Sequence, residues 1–147
     1  MNQETINSLK VYTEAKSLLG TVVAPLNAED GYGMFGCAIT VNTIFKKALG
    51  APIGGGYSTH DMFDFLKDTQ TFDSVLLEDA LPGDVIISPT GYSVDPSRHG
   101  HVGIVGKFGI LSNNSETGHL EENYTLSQWK QIYGVTLGFP VCVFRIK

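Results

Sequence analysis

Apolar residues recur at helical spacing through the first half of the chain and at strand spacing through the second. Ile6, Leu9, Tyr12, Ala15, Leu18 and Leu19 fall on one stripe, with Gly20 where a C-terminal cap belongs, and this predicts a first helix. Residues 21 to 36 carry Pro25, Asn27, Gly31, Gly33 and Gly36, turn formers that predict a connector. Cys37, Val41, Ile44, Phe45 and Ala48 then share one helical face, so a second helix opens at Cys37 and closes at Gly50. The Gly-rich segment Ile53-Gly54-Gly55-Gly56 separates it from a third, short helix. There Ser58 and Asp61 fit a capping box, and Met62, Phe63, Phe65 and Leu66 form the apolar side.

From residue 81 the apolar spacing shortens. Leu81-Pro82-Gly83-Asp84 is a turn feeding the strand Val85-Ile86-Ile87, and a polar loop from Pro89 to Gly100 leads to the strand His101-Val102-Gly103-Ile104-Val105. Lys107-Phe108-Gly109 turns the chain into Ile110-Leu111-Ser112-Asn113, a hairpin-like pair. Thr125 to Tyr133 reads as a short helix with Thr125 and Gln128 as its box and Gly134 as its end, and Val141 to Ile146 is a final strand. Helices first and strands after predict an α+β fold, with N-terminal helices packed on an antiparallel sheet. No linker is long enough to divide residues 1 to 147, so one domain is expected.

Composition narrows the function. With 42% apolar and 17% charged residues, the 147-residue chain can bury a core, which argues against disorder. Ten basic against 15 acidic residues leave a net charge of −5 with no basic run, which excludes a nucleic-acid binder that relies on neutralising phosphates. No apolar stretch approaches the ~20 residues of a membrane helix, so no membrane insertion is expected. Met1-Asn2-Gln3-Glu4-Thr5 lacks a basic region followed by an apolar run, so no signal peptide is expected. The two cysteines cannot form a disulfide scaffold.

Cys37 is the sharpest chemical candidate. A thiol at a helix N-terminus meets the positive end of the helix dipole and unpaired N–H groups, which favour thiolate and can hold a developing oxyanion. A small buried core residue is the competing explanation, and for Cys142, in an apolar strand, it is the preferred one. A nucleophilic cysteine needs a base, and His101 opens a strand after a Gly-containing loop, where its ring can meet a helix tip across a cleft. The base needs an orienting acceptor. Asn113 lies on the next strand, with Asn114 and Glu116 as competitors. On this reading the Cys37 thiolate forms well below the ordinary thiol value of about 8.5, and Cys37 alkylates faster than Cys142.

These residues resemble a known family. Gly36-Cys37-Ala38 opening a helix, then Leu81-Pro82-Gly83-Asp84-Val85-Ile86, then Gly100-His101-Val102-Gly103-Ile104-Val105, is similar to the NlpC-like and CHAP-like cell-wall cysteine peptidases over roughly residues 30 to 146. The resemblance implies a papain-like α+β fold and a cofactor-free cysteine hydrolase, an endopeptidase or N-acetylmuramoyl-L-alanine amidase. Its substrate would be an amide bond of bacterial peptidoglycan, cleaved through a thioester. It implies Cys37 as nucleophile, His101 as base and a third polar residue one strand later, where Asn113 falls. Two features depart from the family: Gly36-Cys37-Ala38-Ile39 stands where members often have Asp-Cys-Ser-Gly, and the aromatic about a dozen positions before the cysteine is missing, with Tyr32 as a candidate replacement. A wall enzyme with no export signal would be made in a cytoplasm and delivered by phage lysis, a virion or a secretion apparatus, and its delivery or immunity partner is unidentified.

Two alternatives stand beside this reading. His60-x-x-x-Asp64 with His99-x-His101 resembles the zinc-ligand order of lysostaphin-like metallopeptidases, although the helical periodicity after His60 sets His60 and Asp64 on one helical face. Asn27 and Asp30 supply too few oxygens for calcium. A catalytically silent wall-binding or structural domain is the other alternative, with Trp129, Tyr92 and Tyr124 as candidate sugar-stacking residues.

Overall fold

The computed structural model describes residues 2–24 and 36–147. Its helices are α1 (Gln3–Ser17), α2 (Gly36–Leu49), α3 (Thr59–Asp68) and α4 (Leu126–Trp129), the last continuing as a π-helical segment over Lys130–Thr136. Its strands are β1 (Phe72–Val75), β2 (Val85–Ser88), β3 (His101–Val105), β4 (Ile110–Asn113), β5 (Leu120–Tyr124) and β6 (Cys142–Ile146). They form one sheet in the order β1-β6-β2-β3-β4-β5, with every neighbouring pair antiparallel. The fold class is therefore the α+β arrangement the sequence predicts. No helix among the described residues is long and apolar enough to cross a membrane.

The sheet buries both faces, which explains the continuous apolar run of β2, Val85-Ile86-Ile87-Ser88, with all four residues buried. On one face Val85, Ile87, Val102, Ile104, Leu111 and Phe144 pack against Val11 of α1, Val41 and Phe45 of α2 and Met62 of α3. On the other, Ile86, Val105, Ile110 and Val143 pack beneath Trp129. The C-terminal helix thus covers the face that the N-terminal helices leave open.

Two strands escape the apolar pattern. β1 and β5 are the sheet edges, and each needs only one buried residue, Phe72 and Leu120, while the ladder to its neighbour supplies the rest. In α1 the buried stripe is Ser8, Val11 and Ala15 rather than one that includes Leu9, which is exposed. The cause is the turn before β2: a Cβ on Gly83 would collide with the Ser8 backbone, so this face of α1 must be slim. Thr125 and Gln128 make the expected reciprocal box, whereas at α3 only half of it forms: Ser58 accepts from Asp61 N–H at 3.1 Å, and its own N–H donates to Gly55 C=O at 3.0 Å rather than to Asp61. The last helix runs past Gly134 because its turns widen, with Leu137 N–H donating to Ile132 C=O at 2.9 Å.

The Leu81-Pro82-Gly83-Asp84 turn has a structural role. Asp84 is fully buried and takes Arg145 of β6 on both oxygens, Nε to Oδ1 at 2.9 Å and Nη2 to Oδ2 at 2.8 Å, and it also accepts from Leu81 N–H at 2.8 Å. This clamp fixes the entry to β2 against the last strand, beside the end of β3, where Val105 N–H donates to Asp84 C=O at 2.8 Å.

Candidate active site

Cys37 is the second residue of α2 and only 4% exposed. The backbone N–H groups of Cys37 and Ala38 at the helix tip, and of Val102 on β3, all direct toward its sulfur. Burial outweighs them and pushes the thiol up to about 11. This corrects the expectation of a depressed thiolate: the helix tip is present, but it sits under protein rather than in water. Cys142 is the more exposed of the two thiols, and burial raises its pKa while Lys67 opposes. Faster alkylation of Cys37 at rest therefore does not follow from the structure.

His101 opens β3 at the same end of the sheet. A side chain on the preceding residue would run into the Ser88 carbonyl, so glycine at position 100 is required for this approach. The imidazole stacks on Trp129 at 5.3 Å and on Tyr133 at 5.8 Å, with Tyr124 edge-on at 6.2 Å. Enclosure by these rings draws its pKa down to about 4. Trp129 is in turn fixed by its indole N–H donating to Ser88 at 3.0 Å. It is fully buried, so of the three aromatics considered for sugar stacking it serves as a packing residue. Tyr92 packs on Phe63 and His60, whereas Tyr124 faces the cleft.

Cys37, His99, His101, Asn113, Asn114 and Glu116 line one cleft of about 630 Å³, together with Asn123, Tyr124 and Tyr133. Cys37 belongs to the core on the α2 side of the sheet and His101 packs on Trp129 on the other side, both at the start of β3. Burial thus favours the uncharged form of each group, the Cys37 thiol and the His101 imidazole.

The partner of the ring is Ser112. His101 Nε2 lies 3.0 Å from Ser112 Oγ, and that hydroxyl donates to Asn123 Oδ1 at 2.6 Å. Asn113, expected to hold the ring, is one residue further on and so points to the other face of the sheet. There it packs against the tip of α2: a Cβ on Gly36 would lie 2.6 Å from Asn113 Nδ2, and Asn113 Oδ1 has no partner among the described residues. Asn114 uses its carboxamide within the following turn, accepting from Glu116 and Thr117 N–H at 2.8 and 3.3 Å. Glu116 is exposed at the cleft mouth. Ser112 was legible in principle. Val105 pairs with Ile110 across the hairpin, and alternation from there sets His101 and Ser112 on one face and Asn113 on the other.

The residues of the zinc alternative separate. His60, Asp61 and Asp64 hold their ligating atoms within 4.8 Å of one another on α3, and this group includes neither His99 nor His101, which belong to the cleft. Asn27, Asp30 and Tyr32 lie outside the described residues. His119 forms an isolated bridge with Val22.

Comparison with solved structures supports this α+β fold. The chain is similar to the crystal structure of the NlpC/p60 domain of the peptidoglycan hydrolase SagA, with a TM-score of 0.54 over 92% of this chain and 97% of that one, at 17% identity. The fold is thus NlpC/p60-like. No protein-family model and no curated protein sequence matches the chain.

Proposed function

We propose that the protein is a cysteine hydrolase that cleaves an amide bond in the peptide part of bacterial peptidoglycan. The observation that carries this reading is the shared cleft. It is lined by a thiol at the tip of a 14-residue helix and by a histidine held by stacking and by Ser112, in a fold shared with a peptidoglycan hydrolase domain. His101 takes the Cys37 proton as sulfur attacks the carbonyl carbon. The N–H groups at the tip of α2 stabilise the oxyanion. His101 then returns the proton to the leaving amine, and water, deprotonated by the same ring, hydrolyses the thioester. Because both groups rest neutral, the proton moves during attack rather than beforehand.

Purified wall suspension is the substrate that tests this reading. Clearance is expected to stop after treatment with a thiol alkylator in the presence of substrate turnover, and to continue in a chelator. Loss of clearance in the chelator, with none from the alkylator or from Cys37→Ala, would replace the thiol with a metal centre.

A further inference from the structure

We propose that Asn123 is a positioning residue, acting through Ser112 to hold His101 in the tautomer that carries hydrogen on Nε2 and leaves Nδ1 to receive the Cys37 proton. This rests on the assignment of Cys37 and His101 as nucleophile and base. A serine hydroxyl has a single proton. Ser112, fully buried, gives that proton to Asn123 Oδ1 at 2.6 Å, while the same oxygen stands 3.0 Å from His101 Nε2. With its proton committed, Ser112 can only accept from the ring. Nε2 therefore keeps the hydrogen and Nδ1 keeps the lone pair.

The backbone supplies the reason Asn123 is there. Along β4 and β5, Leu111 pairs with Glu122 but Ile110 pairs with Tyr124, and Asn123 is the extra residue of a bulge. On a regular strand Asn123 and Tyr124 would point to opposite faces. The bulge lets both reach the His101 side, where Asn123 meets Ser112 and Tyr124 sets its edge against the imidazole at 6.2 Å. Asn123 also lines the cleft, so the chain from base to hydroxyl to carboxamide ends at the substrate wall.

Nitrogen-15 NMR of His101, assigned against His101→Gln, reads the tautomer directly and needs no substrate. The wild type is expected to show a single Nε2–H form. Asn123→Ala frees the Ser112 proton to donate to Nε2, so the Nδ1–H form should appear and kcat on wall peptide should fall about tenfold with KM unchanged. Asn123→Asp retains an acceptor and should keep the Nε2–H form. Ser112→Ala and the double variant Ser112→Ala/Asn123→Ala should be equally impaired, because Asn123 has no route to the ring without the hydroxyl. An Nδ1–H form in the wild type, an unchanged tautomer in Asn123→Ala, or additive losses in the double variant would overturn the proposal. Inactivity of the wild type on walls, with the tautomer pattern as expected, would count against the hydrolase reading and leave the positioning intact.

Discussion

His60 and His101 are built from similar parts and placed in opposite surroundings. Each ring lies against a tyrosine, tilted on Tyr92 at 5.2 Å for His60 and stacked on Tyr133 at 5.8 Å for His101, and each has an oxygen-bearing partner within reach. His60 sits on the solvent side of α3 with its side chain 46% exposed, between Asp61 at 3.5 Å and Asp64 at 3.4 Å. Asp64 is otherwise engaged: Tyr92 donates to it at 2.7 Å and holds its carboxyl below the ordinary value, and Lys67 stands 3.6 Å away. The contacts of His101 among the described residues are with neutral groups. Three aromatic rings and a serine surround it, with a thiol across the cleft. Exposed charge neighbours hold a histidine weakly, since surface pairs contribute about 0–1 kcal/mol. Enclosure by neutral rings keeps an imidazole uncharged at neutral pH, which is the state a base must have.

The widest gap between the two rings should appear in turnover. His101→Ala is expected to lower wall hydrolysis by about 10²–10⁴-fold, and His60→Ala by less than about twofold. Equal losses, followed by fragment analysis, would move the chemistry to α3.

Acid unfolding should separate them next. Between pH 6.5 and about 4 the unfolded chain binds a proton on His101 that the folded protein excludes. Stability from this ring is whole above pH 6.5 and falls as pH drops toward 4, by about 3 kcal/mol in total. Denaturant midpoints across this range should flatten in His101→Gln and keep their slope in His60→Gln.

A smaller effect tests the helix tip that serves the cleft. In Gly36→Ala the added Cβ meets Asn113 Nδ2 at 2.6 Å, and the crowding should cost about 1–3 kcal/mol of stability, measured by thermal unfolding. The smallest effect is at α3. Tyr92→Phe should leave the unfolding midpoint nearly unchanged, while the Asp64 carboxyl rises toward its ordinary value in an NMR titration.

The helices and central strands were legible because apolar periodicity and caps are local signals. The placement of Cys37 at a helix start and of His101 at a strand start was reachable because a Gly-Cys and a Gly-His junction announce themselves in the sequence. The third residue was not reached. Asn113 looks more suitable than Ser112 by chemistry, and only strand parity, a consequence of the Val105–Ile110 register, selects between them. Asn123 was further out of reach, since it depends on a bulge in an edge strand whose Glu121-Glu122-Asn123 run lacks apolar alternation. The thiol pKa failed for a related reason: sequence shows a helix tip but not the depth at which it is buried.

The central claim is that Cys37 cuts a wall peptide bond, and mass spectrometry of the fragments released from purified walls tests it most directly. The wild type should release peptides with one new amine and one new carboxyl end at a single linkage, and Cys37→Ala, with its fold intact by circular dichroism, should release none. The same fragments at the same rate from Cys37→Ala would contradict the account.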